Sequence, residues 1–250
     1  MCGRFTLTLD PDELRSIAEG WGIKVAQSRP DGLKPRYNIA PTQPVAAVVN
    51  DGRVRVEMLT WGLIPSWAKD RQVGQRLINA RSETLAEKPA FRSAYRRQRC
   101  LILATGYFEW QTSLEGKVKT PYYIYPQKTN PLGKPKLMAF GGLWERWLSK
   151  DESEEIKSCT IITRDPGDWP VTLMKANQAD QVILLKNIHN RMPVILSPGD
   201  FPQWLANQEI QPDLLAPLLA IDPPALAAYP VARLVNSPNN DSPICIQPAL

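Results

Sequence analysis

The chain has 250 residues, 43% hydrophobic and 22% charged, enough for one large domain or two small ones and too apolar for a disordered, collagenous or coiled-coil protein. Its formal charge of +5 is unevenly spread: from Asp200 onward one arginine, Arg233, faces five carboxylates, so that part carries −4 and the first 199 residues carry +9. Four cysteines, at 2, 100, 159 and 245, form no C-x-x-C pair and the one histidine is His189, so a clustered zinc site lacks its ligands and no metal or cofactor is expected.

Asp10-Pro11-Asp12-Glu13 supplies an N-cap, a first-turn proline and a capping-box acid. It predicts a helix to about Glu19 that buries Leu14, Ile17 and Ala18 and exposes Arg15. A Pro- and Gly-marked loop covers 27–44. Residues 45–50 and 53–59 flank Asp51-Gly52 and predict a hairpin closed by a type I′ turn. The segment 81–100 carries Arg81, Lys88, Arg92, Arg96, Arg97 and Arg99 against Glu83 and Glu87, which suits either phosphate binding or a solvated helix face. Strands are expected at 100–104, 121–125, 136–141 and 158–163, and helices around 90–98, 179–188, 200–207 and 213–220. Residues 111–135 predict a long hairpin excursion, and 236–250 an extended tail packed on the body.

Strands and helices neither alternate regularly nor segregate into halves, and no composition break divides the chain. The expected fold is therefore α+β, a single domain over 1–250, with a mainly antiparallel or mixed, barrel-like sheet and short flanking helices. The P-loop, G-x-G-x-x-G, H-E-x-x-H and EF-hand patterns are absent, which removes the usual support for nucleotide, dinucleotide and zinc-protease chemistry. Without a signal-peptide pattern or an apolar run near 18 residues, a cytoplasmic, non-membrane protein with reduced thiols is expected, monomeric by default.

Cys2 carries the most chemistry, because removal of the initiator methionine leaves an α-amine and a thiol on one residue. The α-amine titrates near 8, so roughly a tenth of it is unprotonated at pH 7, against well under a tenth of a per cent for a lysine. A 1,2-aminothiol condenses with an aldehyde to an imine, and thiol attack then closes a thiazolidine. An N-terminal Cys-Gly also suits N-terminal-nucleophile amidohydrolases such as glutamine amidotransferases, in which the thiol attacks an amide.

The second resemblance covers more of the chain. Met1-Cys2-Gly3-Arg4-Phe5, Tyr37-Asn38-Ile39-Ala40-Pro41-Thr42, Trp61-Gly62-Leu63-Ile64-Pro65-Ser66-Trp67, Ile78-Asn79-Ala80-Arg81-Ser82-Glu83, Gly106-Tyr107-Phe108-Glu109-Trp110, Ala139-Phe140-Gly141-Gly142-Leu143-Trp144, Cys159-Thr160-Ile161-Ile162-Thr163 and His189-Asn190-Arg191-Met192-Pro193 occur in order. This series resembles the SOS-response-associated peptidase (SRAP) family of abasic-site processing proteins. The resemblance implies covalent capture of abasic sites in single-stranded DNA, including single-strand/duplex junctions, and an associated autopeptidase activity. A non-covalent single-strand-binding module is the other alternative.

The family's essential residues fall on Cys2, Asn79, Glu109 and His189. Phe108 and Trp110 beside Glu109 are expected to exclude water and raise its pKa toward neutrality, so that it exchanges protons during imine formation and thiol attack. His189 is expected to contact the sugar oxygen, and Asn79 to hold the amine or sugar hydroxyl in place. Arg4, Arg81 and Arg191 are expected on phosphates, Pro41 and Trp67 on bases beside the gap, and Asn38 within the DNA-binding set. Trp61 and Trp110 suit core packing, and Cys100, Cys159 and Cys245 read as buried hydrophobes. Leu103-Ala104-Thr105-Gly106 departs from the family's Pro-Ala-Asp-Gly before the carboxylate, and the stretch between Asn177 and His189 is long.

Overall fold

The capping box at Asp10 forms as the sequence requires. Its carboxylate accepts from Asp12 N at 3.0 Å and Glu13 N at 2.9 Å, and Glu13 accepts from Asp10 N at 3.3 Å. The resulting helix, α1 (Pro11–Gly20), buries Leu14 and Ala18, while Ile17 and Arg15 are both half-buried, because the helix lies obliquely on the core. This is a computed structural model; it describes residues 2–23, 33–113, 115–116, 118–127, 136–174 and 181–249.

The strands are β1 (Arg4–Leu7), β2 (Arg36–Ile39), β3 (Pro44–Asn50), β4 (Val54–Trp61), β5 (Asn79–Arg81), β6 (Arg99–Ala104), β7 (Gly106–Thr112) and β8 (Lys119–Pro126). They continue with β9 (Met138–Leu148), β10 (Glu155–Arg164), β11 (Pro170–Leu173), β12 (Gln181–Leu184), β13 (Met192–Pro193), β14 (Ile195–Leu196) and β15 (Leu226–Pro230). Among the described residues three further helices are short: α2 (Arg92–Arg97), α3 (Phe201–Trp204) and α4 (Pro212–Leu219).

The fold is α+β with two mixed sheets. One closes into a five-stranded barrel in the order β10, β4, β3, β6, β9 and back to β10. Closure rests on the antiparallel β9–β10 ladder, Glu155↔Leu148 through Ile161↔Gly142, and on a short parallel contact of β10 with β4. A Cβ on Gly142 would lie 2.9 Å from both Cys100 Sγ and Ile102 Cδ1, so only glycine lets the ladder approach this closely. Both faces of this sheet are covered: Val48 and Leu101 on one and Leu59, Phe140 and Ile161 on the other are all wholly buried.

The other sheet runs β12-β11-β15-β8-β7-β1-β2 and carries the amino-terminal strand in its interior. On one of its faces Phe108 and Tyr123 pack with Val231, Val235 and Cys245, a second apolar cluster that seats the C-terminal segment. Within this segment lie 3₁₀ turns at Arg233–Asn236 and Pro243–Ile246.

Several elements differ from the sequence reading. The β3–β4 hairpin is present, but Asn50 pairs with Val54, so the connection has three residues and not a two-residue type I′ turn. Gly52 alone takes positive φ, and the Asn50 side chain accepts from its N–H at 3.1 Å, an Asx turn that favours the longer loop. The helix expected at 179–188 is instead β12, paired to β11, followed by a 3₁₀ turn at Leu185–Asn187; residues 179–180 lie outside the described set. A four-residue apolar run does not distinguish strand from helix by period. The loop expected at 27–44 contains β2, while its first six residues, and parts of the 111–135 excursion, lie outside the described residues. The 200–207 helix is cut to Phe201–Trp204.

The basic segment also resolves differently from a uniform phosphate-binding face. Arg99 is buried and donates to the carbonyls of Tyr95, Trp204, Ala206 and Gln208, which hold α2 against the turn after α3. Burial lowers its pKa to about 10. Arg97 is paired to Glu209 at 2.8 Å. No helix among the described residues is long and apolar enough to cross a membrane.

Candidate active site

Strand pairing brings Cys2 and Glu109 together. Arg4 on β1 registers with Phe108 on β7, so the residues just before Arg4 run alongside Glu109. Alternation puts Tyr107 and Glu109 on one face of β7 and Phe108 and Trp110 on the other. Gly106, at the start of this strand, permits the packing of Tyr123, whose ring and hydroxyl would lie 2.3 Å from any added Cβ. Thr105, at the departure from the family pattern, is buried and bonds Thr6 Oγ1 at 2.9 Å and Thr8 N at 3.1 Å, locking β1 beside β7.

Asn79 arrives on β5 through its parallel pairing with β10, opposite Ile161. Its Nδ2 donates to the carbonyl of Cys2 at 2.8 Å, which fixes the amino-terminal backbone. His189 follows the 3₁₀ turn after β12, and its Nδ1 lies 3.6 Å from Glu109 Oε2. The long spacing before the histidine therefore does not carry it away from the carboxylate. Nδ1 sits 3.1 Å from the Arg191 nitrogen and 3.3 Å from its carbonyl oxygen, so it accepts from the one or donates to the other according to the ring's tautomer.

Burial sets the protonation states. It pushes the Glu109 carboxyl up to about 7, opposed by the positive amino terminus and by the Trp110 N–H. Burial, then the neighbouring Glu109 charge, hold the Cys2 thiol well above its ordinary value. The His189 imidazole is lowered, first by burial and then by surrounding positive charge. Near pH 7 the pair is thus a half-ionised acid beside a neutral ring rather than a fixed salt bridge. The expected upward shift of Glu109 is present and is due to burial, while Phe108 and Trp110 alternate to the opposite face of β7.

Glu109 and His189 line a pocket of about 540 Å³ with Trp110, Thr112, Lys119 and Asn236. Cys2 lies wholly buried beside it. Tyr107, absent from the candidates, is fully buried, and its hydroxyl has no hydrogen-bond partner among the described residues; the nearby Cys2 and Glu109 add to the burial that raises its pKa. Its signal in the sequence was its position two residues before Glu109, on the same face of an alternating strand.

The expected DNA-contacting residues divide into two groups. Trp67 is 63% exposed, Arg81 is exposed, and Pro41 is partly exposed beside Thr42, which takes positive φ. By contrast Asn38 is fully buried, and its amide donates to the carbonyls of Val235, Ser237 and Asn240, so it serves the frame and has no surface to offer a phosphate. Arg4 is likewise committed, donating to Asn38 Oδ1 and to the carbonyls of Val235 and Asn236. Arg191 makes a two-point pair with Glu83 at 2.7 and 3.0 Å, which lowers the Glu83 pKa.

The curated and structural relatives agree with this architecture. A family model described as SOS response associated peptidase (SRAP) matches residues 1–238. Abasic site processing protein YoqW of Bacillus subtilis is 41% identical over 250 residues, covering 99% of both chains. Abasic site processing protein HMCES of Xenopus tropicalis is 28% identical, covering 98% of this chain and 78% of its own. A crystal structure of a protein from Bacteroides thetaiotaomicron superposes with a TM-score of 0.75 at 27% identity, over the whole of both chains. With its family match spanning nearly the full length and a 41% identical relative along the whole chain, the protein belongs to the SOS response associated peptidase family.

Proposed function

We propose that this protein captures abasic sites in single-stranded DNA by a covalent bond between Cys2 and the open-chain aldehyde of the lesion. The observation that carries the reading is the buried carboxyl of Glu109, brought beside Cys2 by the β1–β7 pairing and 3.6 Å from the His189 imidazole. The names of the relatives, which are abasic site processing proteins, support the same lesion.

Removal of Met1 makes the Cys2 nitrogen a free amine. That amine adds to the aldehyde carbon, giving a carbinolamine; loss of water, with a proton supplied by neutral Glu109, leaves the imine. The Cys2 sulfur then bonds to the imine carbon as its proton passes through ionised Glu109 to the imine nitrogen, closing the thiazolidine. Because burial keeps the thiol protonated at rest, the sulfur needs this base at the moment of attack. His189, in the tautomer with Nε2–H as donor, suits the sugar oxygen during ring opening, and Asn79 holds the Cys2 backbone in attack geometry. Trp67 and Pro41 offer stacking surfaces, and Arg81 a phosphate contact.

Incubation with a uracil-containing oligonucleotide treated with uracil glycosylase, followed by a denaturing gel, tests the reading. Wild type should give a slow-migrating adduct, Cys2→Ala none, and a chain extended by one uncleavable residue before Cys2 none. An adduct that survives both changes would assign the chemistry to a lysine; glutamine turnover without an adduct would assign it to amide hydrolysis. Intact mass shows directly whether Met1 has been removed.

A further inference from the structure

The site pocket is larger than its acid–base pair requires, and its outer part is built from hydrogen-bond donors. Register between β7 and β8 places Tyr122 opposite Glu109, Pro121 opposite Trp110, Thr120 opposite Gln111 and Lys119 opposite Thr112. Thr112 and Lys119 therefore form the rim three residues out from Glu109, about 10 Å along the strand, within reach of a lysine stem folding back. Gln111 Nε2 donates to Asn187 O at 2.8 Å and ties this rim to the turn that carries His189. Two residues in from Thr112 on the same strand, Trp110 Nε1 donates to Asn236 Oδ1 at 2.8 Å, which fixes the amide and leaves its nitrogen as a donor.

Lys119 is exposed and makes no ion pair among the described residues, whereas Lys157, Lys186 and Arg191 all do. A sugar hydroxyl can accept from an ammonium group but gains no charge neutralisation from it. A phosphate ester uses one well, together with a hydroxyl and an amide donor. We propose that Lys119, Thr112 and Asn236 form an anion subsite on the rim of the Glu109–His189 pocket, which takes the phosphate adjoining the abasic sugar. The inference rests on the abasic-DNA reading above and adds to it where the lesion's own phosphate lies. The positive field of Lys119 is felt within the pocket, where it is among the charges that lower the His189 pKa.

The probe is a single-stranded oligonucleotide carrying tetrahydrofuran in place of the abasic sugar, with an uncharged methylphosphonate on its 5′ side, on its 3′ side, or on neither. Tetrahydrofuran has no aldehyde, so anisotropy reports this subsite without any covalent step. One of the two methylphosphonates should weaken wild-type binding roughly tenfold, and that side identifies the phosphate. Lys119→Met should bind all three oligonucleotides alike at the weakened level, the non-additivity expected of a direct pair, and Lys119→Arg should restore the difference. The subsite is overturned if wild type does not bind the probe, if neither methylphosphonate matters, or if the loss persists in Lys119→Met. Failure of the covalent reading shows separately, as a missing adduct on the true aldehyde lesion while the anisotropy difference remains.

Discussion

A carboxyl that is 1% exposed and titrates near 7 costs stability at neutral pH. The folded-state value lies above the unfolded one, so the contribution of Glu109 is full below about 4.5 and is lost as pH rises through about 7. Replacing it with Gln removes both the penalty and the proton exchange. Glu109→Gln should therefore match or exceed wild type in thermal stability at pH 8, while the rate of adduct formation falls on the order of a hundredfold or more. Wild-type capture should rise with pH through about 7 as the base form appears, and the variant should lose that inflection. Rates at several pH values on one abasic oligonucleotide decide the matter; an inflection that survives the substitution would assign it to the α-amine. The residues of this centre came from the family resemblance, with only Cys2 also marked by its own chemistry, and the structure brings all four near one another. For Asn38 and Arg4 the motif marks the residue without saying that its side chain also holds the chain's own carbonyls.

At the scale of elements, the loop after β4 that presents Trp67 is fastened from beneath. Ile64 N donates to Ser158 Oγ at 2.8 Å, Trp147 Nε1 donates to Ala68 O at 2.8 Å, and Ser66 bonds the buried carboxyl of Glu145. Burial raises Glu145 to about 7, with the Ser66 bonds opposing the shift. The sign is that of Glu109: stability is complete below about 4.5 and declines as the carboxyl ionises. Glu145→Gln keeps hydrogen-bonding capacity toward Ser66 without the charge. It should be more stable than wild type by about 2 kcal/mol at pH 8 and nearly equal to it near pH 4.5. Chemical denaturation at the two pH values measures this, and equal stability at both would show that the carboxylate is solvated as the protein stands. Nothing in the sequence singled out Glu145, since a lone acid between Trp144 and Arg146 looks like a surface residue on an alternating strand. Local signals did identify α1 and the β3–β4 hairpin, whose capping and turn chemistry lie within a few residues. They missed β2, β5 and β12, short strands that exist only because a partner strand is present.

For the whole molecule, the closed barrel depends on contacts far apart in the chain, notably β10 with β4 and β5, and composition could suggest a barrel-like sheet without giving its strand order. The same holds for the C-terminal segment, which returns across β1 and β2 and supplies Asn236 to the pocket wall. Asp241 accepts from the N–H groups of Tyr37 and Asn38 at 2.6 and 2.9 Å and pairs with Arg36. Arg4 and the Asn38 amide hold the carbonyls from Val235 to Asn240. This clasp joins the amino-terminal strand, which bears Cys2 just before it, to the last part of the chain. Asn38→Ala would remove the amide from the Val235, Ser237 and Asn240 carbonyls and an acceptor from Arg4, leaving Ser237 O to the Asn240 N–H and Asn240 O to Cys245 Sγ, a loss of about 2–4 kcal/mol. For a chain of this size that corresponds to a fall in Tm of roughly 5–15 °C. The loosened segment should also be cut first by a protease of broad specificity, between residues 236 and 249, before the barrel is attacked. Adduct formation well below the new Tm should slow less than in Glu109→Gln, because the acid–base pair keeps its own strands. An unchanged Tm with no new cleavage would mean that Asp241 and the second apolar cluster hold the clasp without Asn38; slowing as severe as that of Glu109→Gln would place the clasp inside the reaction itself.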